Sequence, residues 1–369
     1  MIKTALPVVD LLLPHKERFT DQNAGAVSTV VYELAQDSYA KSKQNITIFG
    51  SQIDNPKTNI HYQGLQAKHH FWQSRNKAMG RAYLNEPRNA DIIEVHGRPQ
   101  IALQIAKARP ESQVILYLHN DPRTMKGARE PSERITLAKH LSAIVSITDY
   151  VQNCFLDGLD EATACRAIYF VNHLGVNRTL NKPMPKKKRV FIAGRMVEEK
   201  GFLEACKGAL PVLLSHPEWE ICIAGGKHFT SSTRSAYENE LAELLAPLGN
   251  RATLLGHQPL SIVQQWQQTS EICIVPSRWQ EPGGLTVLEA LAAGTALITT
   301  EKGGIPEFAN GRAKIVTSPD PLLFADAIAC LIENETARKE LQQSAWDDFP
   351  FTAQAMSQRM TDFRLSLLS

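Results

Sequence analysis

A chain of 369 residues is about 2.5 times a domain of roughly 150 residues, which points to two domains. Forty lysines and arginines against 38 aspartates and glutamates leave a net charge of +2, with 43% hydrophobic and 21% charged residues. That balance excludes a dedicated nucleic-acid binder and a long disordered tail, and leaves a globular chain with one sizeable core per domain.

From the N-terminus, short β-rich runs alternate with helical patterns. The first half predicts strands at Pro7–Leu13, Ile46–Gly50, Asp91–His96, Val114–His119, Ala143–Thr148 and Ile168–Val171. The second half predicts them at Val190–Ala193, Glu220–Ala224, Ala252–Leu255, Ile272–Val275 and Ala296–Thr299, with Lys314–Val316 as an edge. Runs of four to six nearly continuous Val, Ile and Leu suit strands covered on both faces. Helical spacing falls between them, at Val27–Ala40, Pro99–Ala108 and Leu322–Asn334. The alternation implies doubly wound α/β domains. Asn177–Arg189, with two prolines, a run of cations and few large apolar residues, reads as the linker between them. A cleft between two such domains is the default site.

The cysteines (Cys154, Cys165, Cys206, Cys222, Cys273, Cys330) include no CxxC pair. They read as buried free thiols of a reducing compartment, neither a disulfide framework nor a zinc site. No run reaches the roughly 18 apolar residues that cross a bilayer. Ala5–Leu13 is broken by Pro7 and Asp10 and lacks the marks of a signal peptide, so the expected location is the cytoplasm.

The most informative segment is Pro276–Phe308, PSRWQEPGGLTVLEALAAGTALITTEKGGIPEF. A strand end leads through a Pro-Gly-Gly turn into a helix from about Leu285, which closes near Gly294. Gly283 and Gly284 then stand at a helix N-terminus, where free N–H groups and the helix dipole favour an anion such as a phosphate. Glu281 precedes the turn and Glu289 lies inside the helix, with seven residues between them. Two carboxylates around an anion site suit a sugar nucleotide, one for sugar hydroxyls and one for the ribose diol. Taken singly, each glutamate is also what a solvated turn or helix face carries.

This segment resembles the retaining glycosyltransferases of family 4 (glycosyl transferases group 1), whose hallmark is two glutamates seven residues apart in an EPFG…LEA setting. Gly283 stands where the family usually has an aromatic, and Gly303-Gly304-Ile305-Pro306-Glu307 resembles the family's GGxxE segment. A second segment agrees: FIAGRMVEEKGF at Phe191–Phe202 resembles the family's GRLxxxKG. The resemblance implies a GT-B fold of two tandem Rossmann-like domains facing across a cleft. Residues 1–180 would form the acceptor-side domain, joined by a C-terminal helix at 352–369 that crosses back, and 188–350 the donor-binding domain. It also implies that Arg195 and Lys200 bind the diphosphate, with Gly283, Gly284 and Leu285 supplying amides. Glu281 would orient the sugar and Glu289 hold the ribose. Leu255-Gly256-His257 would line the nucleobase pocket. Two preplaced cations stabilise the charge that grows on the leaving group, mostly in the transition state.

In the first half, Gly25 precedes a helix where relatives carry a Gly-Gly pair that approaches the donor phosphates; here Ala26 takes the second place. His119, after the strand Val114–Leu118, resembles a family histidine that reaches the donor sugar. His96 in EVHG is read as structural or acceptor-side, and Asp121 and Arg123 as acceptor-side by location. Between Asn55 and Asn85 lie Lys57, Lys68, Arg75, Lys77, Arg81 and three histidines, without an Asp or Glu. Leu65, Phe71, Trp72 and Met79 are interleaved. Such a basic amphipathic stretch suits contact with an anionic membrane or acceptor, and equally a solvated face whose aromatics pack inward.

The expectation is transfer of a hexose-type unit, with retention and domain closure, from a UDP- or GDP-linked sugar. The acceptor would be a glycan or glycolipid of lipopolysaccharide or exopolysaccharide assembly. Neither a cofactor nor a metal is expected, since the DxD pattern of metal-dependent relatives is absent. A sugar-nucleotide epimerase of the same fold and a non-catalytic nucleotide-sugar-binding subunit stay open as alternatives. A dinucleotide oxidoreductase is excluded by the lack of a GxGxxG followed by an acidic residue.

Overall fold

In the computed structural model the described residues are 5–21, 24–67, 75–164, 167–227 and 234–369, without the side chains of 163 and 164. The chain divides into two compact units, residues 1–175 with 352–369, and residues 176–351.

The first unit is built on β1 (Val8–Leu12), β2 (Asn45–Ser51), β3 (Tyr62–Leu65), β4 (Ile92–His96), β5 (Gln113–Leu118), β6 (Ala143–Ser146) and β7 (Ile168–Val171). All pair in parallel, in the order β3-β2-β1-β4-β5-β6-β7. The central strands are apolar on both faces because helices cover both. Val9, Leu11, Ile93, Val95, Ile115 and Leu116 are all buried, each contributing about 1.5–3 kcal/mol of burial.

The second unit repeats the plan with β8 (Lys187–Ala193), β9 (Glu220–Ala224), β10 (Ala252–Gly256), β11 (Ser270–Val275), β12 (Ala296–Thr300) and β13 (Ala313–Val316). Its parallel order is β10-β9-β8-β11-β12-β13. Trp219, Phe202 and Phe324 pack with Ile192, Ile223 and Ile274 in its core. In each sheet the first strand sits beside two neighbours reached in opposite directions, β1 between β2 and β4, β8 between β9 and β11. Such reversal points open a crevice at the strands' carboxyl ends, where α/β proteins bind ligands.

Several sequence expectations are corrected. The helix read across Val27–Ala40 is two helices, Ala26–Gln36 and Ser38–Lys43. Asp37 breaks it in an extended conformation and caps the second helix, accepting from the Tyr39 N–H at 3.0 Å. Strand β3 was not foreseen, because YQGL is short, polar and interrupted by glycine. The linker reading reaches too far: Lys187–Arg189 already belong to β8. Arg189 is buried against Glu220 at 2.5 Å and lies over the Trp266 ring at 4.1 Å. Lys186 donates to the carbonyls of Gln268 and Ala293, both at 3.1 Å, and burial pushes its ammonium down to about 8. Lys186 and Arg189 of PKKKR are therefore structural, while Lys187 and Lys188 are exposed. Cys154, Cys206, Cys222 and Cys273 are buried free thiols, whereas Cys330 is exposed on the helix Pro321–Glu333; Cys165 lies outside the described residues.

The C-terminal helix Ala353–Ser366 belongs to the first unit. Pro350 lies in the break between it and the helix Glu335–Asp347. Ser357 donates its hydroxyl to the Leu34 carbonyl at 2.9 Å, and Phe363 stacks on Phe170 at 4.3 Å. Arg364 grips both carboxylate oxygens of Glu94 on β4, at 2.9 and 3.1 Å. No helix among the described residues is long and apolar enough to cross a membrane.

Candidate functional site

The second unit holds a cavity of about 230 Å³ at the carboxyl ends of β8, β9 and β10. Its walls are Gly194 and Arg195 after β8, Gly225 and Gly226 after β9, and His257 and Gln258 after β10, with Val263 beside them. Thr286 and Glu289 close it from the helix Leu285–Ala292. Arg195 is exposed, and its side chain makes no ion pair among the described residues. Glu289 is part-exposed and has no paired cation among the described residues. Burial alone pushes its carboxyl up to about 7. Gly256 is bound into the loop itself, its carbonyl accepting the Gly225 N–H at 2.8 Å, while His257 and Gln258 face the cavity.

The loop before this helix carries Glu281. The helix begins at Leu285 with Gly284 at its N-cap, in the left-handed region at φ 70°, and ends at Ala292 before Gly294. Its first N–H groups have no partner within the helix, as at any helix start. Gly283 is buried, and Gly284 and Leu285 are half-buried. Glu281 is nearly enclosed, at 8% exposure, yet accepts from two donors. Lys200 Nζ and the Ser277 hydroxyl (2.8 Å) both meet its Oε1. Its backbone carbonyl also takes the Gly304 N–H at 2.7 Å.

Two glycines make this meeting possible. Gly201 has φ 68°, and a Cβ there would collide with the Pro276 carbonyl. Gly303 has φ 62°, and a Cβ there would collide with the backbone of Glu281. Only glycine tolerates both the left-handed backbone and the close approach. The Lys200 turn is pinned further by the N–H groups of Arg278 and Trp279, which donate to the Glu199 carbonyl at 2.9 and 3.1 Å.

In the first unit, His119 follows β5 and is buried, with 8% exposure. Its Nε2 lies 2.9 Å from His96 Nδ1, and Tyr117 stacks on both rings, 5.0 Å from His96 and 4.8 Å from His119. Burial holds the His119 imidazole well below its ordinary value. His96, read as structural or acceptor-side, is thus paired with the candidate histidine itself. Gly25 is the N-cap of the helix Ala26–Gln36, with φ −76°. The Glu17 carboxylate sits on that helix start, accepting from the Ser28 hydroxyl at 3.0 Å and the Ser28 N–H at 3.3 Å.

Other candidates are spent internally. Arg123 binds Asp121 at 2.8 Å and Asp157 at 2.9 Å. Against burial, which would raise it, Arg123 holds the Asp121 carboxyl below its ordinary value. The stretch 55–85 is not one amphipathic segment. It contains β3 and the helix Arg75–Leu84, and Leu65 and Met79 are buried. Lys57 pairs with Asp21 at 2.9 Å and lies over Tyr32. Lys68, Phe71 and Trp72 lie outside the described residues. Sequence reading missed Ser277, Gln258 and Thr286 around the donor-side residues, and Glu94 and Arg364 behind His96. The first three are ordinary polar residues without a motif. The last two meet across 270 positions.

Residues 177–347 match the family described as Glycosyl transferases group 1. The chain is 25% identical over 332 residues to the putative glycosyltransferase YtcC of Bacillus subtilis, covering 83% of this chain and 79% of that one. It is 29% identical over 157 residues to the lipopolysaccharide core biosynthesis mannosyltransferase LpsB of Rhizobium meliloti, covering 41% of this chain and 43% of LpsB. Anabaena Alr3699/HepE, solved in complex with UDP, has the same fold, with a TM-score of 0.76 and 16% identity over 98% of this chain and 100% of that one. Residues 177–347, nearly all of the second unit, thus belong to the glycosyl transferases group 1 family, and nearly the whole chain has the GT-B fold.

Proposed function

We propose that this glycosyltransferase moves a hexose-type sugar from a UDP- or GDP-linked donor to a glycan or glycolipid, with retention at the anomeric carbon. The observation that carries the reading is the cavity at the carboxyl ends of β8, β9 and β10, bordered by Arg195 and Glu289. The Lys200–Glu281 pair belongs to the turn and loop of the same unit. A nucleotide bound there has Glu289 for its ribose diol. Arg195, Lys200 and the amides of Gly283, Gly284 and Leu285 take the diphosphate.

As the bond from the anomeric carbon to the diphosphate oxygen breaks, positive charge grows on the sugar and negative charge on the leaving group. Fixed cations and amides stabilise the latter without reorganising. Glu281 orients the sugar, held by Ser277, once Lys200 turns from it to the diphosphate. For the sugar's hydroxyls, the family resemblance assigns His119. With these cations present, the diphosphate needs no metal ion.

The name of LpsB supports an acceptor in lipopolysaccharide or exopolysaccharide assembly. With such an acceptor the enzyme would work in the cytoplasm, at the inner face of the membrane. The test is a panel of nucleotide sugars with lipid-linked and soluble glycan acceptors, the anomeric configuration of the product being read by NMR. Retention is expected; an inverted linkage would overturn the mechanism. An epimeric nucleotide sugar formed without acceptor would instead favour the epimerase reading.

A further inference from the structure

Behind His119 lies a row of buried side chains that ends at the C-terminal helix. Arg364 Nε and Nη2 bind Glu94 at 2.9 and 3.1 Å, and both side chains are fully buried. Glu94 Oε1 lies 2.9 Å from His96 Nε2, and His96 Nδ1 lies 2.9 Å from His119 Nε2. The alignment follows from the pleat. Glu94 and His96 are two apart on β4, so they share a face, and β4 pairs with β5 so that His96 stands beside Tyr117.

Proton placement in this row is restricted. Burial would raise the Glu94 carboxyl, but Arg364 and His96 outweigh that and hold it down at about 2, so it is an acceptor only. His96 Nε2 makes no aligned hydrogen bond with it, but at 2.9 Å a bare lone pair on that nitrogen would repel the carboxylate, so Nε2 carries the hydrogen. Arg364 already balances the Glu94 charge, and a second proton on the fully buried His96 ring would be an unmatched cation. His96 Nδ1 is therefore an acceptor, and His119 Nε2 must donate to it. The one proton of a neutral His119 ring is thereby fixed on Nε2.

We infer that Arg364, Glu94 and His96 are positioning residues that lock His119 in the Nε2–H tautomer, leaving its Nδ1 as a bare acceptor for a substrate hydroxyl. The use of that acceptor in transfer rests on the proposed contact of His119 with the donor sugar; the tautomer itself does not. A hydroxyl group that donates to Nδ1 is retained as substrate, and a deoxy or fluoro sugar at that position lacks the proton to give.

The test is a long-range proton–nitrogen correlation spectrum of the protein labelled at its histidine ring nitrogens, assigned with His96→Phe and His119→Asn. Both His96 and His119 are expected as Nε2–H tautomers at pH 7.5, with unprotonated Nδ1. An Nδ1–H tautomer at His119, or an imidazolium at His96, would overturn the inference from the wild-type spectrum alone. In His96→Phe, which keeps a ring against Tyr117, His119 is expected to become a tautomer mixture. kcat should then fall about tenfold, as for loss of one oriented hydrogen bond, with donor KM little changed. Undiminished kcat despite a mixed tautomer would overturn the positioning role. If His119→Asn itself leaves transfer intact, the donor-sugar reading fails, whereas an Nε2–H spectrum still upholds the locked tautomer.

Discussion

At the scale of single residues, Lys200 and Glu281 present a charge arrangement that binding must change. Lys200 meets the carboxylate in the free protein, and the proposed diphosphate competes for the same ammonium. Lys200→Ala is expected to lower kcat/KM by roughly 100–1,000-fold while leaving the fold unchanged by circular dichroism. A loss under about threefold would remove Lys200 from the leaving-group site.

Glu289 gives a pH dependence with a definite sign. Burial holds its carboxyl up to about 7, so in the free protein it keeps its proton through mildly acidic conditions. Only the carboxylate form accepts from both ribose hydroxyls. Nucleotide affinity measured by calorimetry should therefore rise as pH increases from 6 to 8, and Glu289→Gln should flatten that rise. An affinity that falls over this range would argue against the ribose role. Glu281 and Glu289 were legible in the sequence because a fixed spacing and a Pro-Gly-Gly turn tie them together. Ser277 was not, since a serine four residues from a glutamate carries no pattern until the loop is folded.

At the scale of elements, the helix Ala353–Ser366 shows what sequence periodicity reveals and what it hides. Its place in the first unit was expected from a family habit. Its contact with β4 through Arg364 and Glu94 joins residues 270 positions apart, beyond any local pattern. Arg364→Met would leave Glu94 buried without a countercharge and is expected to cost about 3–5 kcal/mol, read by urea denaturation. Glu94→Leu with Arg364→Met removes both charges together and should recover most of that loss. If the single and double variants are equally unstable, the ion pair is not what holds this helix down.

Strand positions were readable because the buried centres of parallel strands are nearly continuous apolar runs, as at Val190–Ala193 of β8 and Ile272–Val275 of β11. The misses share a cause: β3 is a short polar edge strand, and Lys186 and Arg189, just before and within β8, looked like linker until two carbonyls and Glu220 with Trp266 supplied their partners.

At the scale of the whole molecule, the two units repeat one topology but differ in how their sites are marked. The second unit carries its candidates in short segments after β8, β10 and β11, which is why motif spacing located them. The first unit places His96 and His119 at the ends of adjacent strands, with Gly25 at a separate helix start, so little short-range pattern joins them. The net charge of +2 was a poor guide to either, because it averages over local arrangements such as the Lys200–Glu281 and Arg364–Glu94 pairs. Cations supplied by the chain itself predict that transfer persists in excess EDTA at a rate within about twofold of the untreated enzyme. A loss restored by added magnesium would contradict metal-independent departure of the diphosphate.

The most direct measurement is acceptor-dependent release of nucleoside diphosphate from a panel of nucleotide sugars, run in parallel for the wild-type chain and for Glu281→Gln. One donor class is expected to be turned over only with acceptor present, and Glu281→Gln to lower that rate by roughly 100-fold or more. Glu281→Gln turning over at the wild-type rate would contradict the assignment of this site to glycosyl transfer.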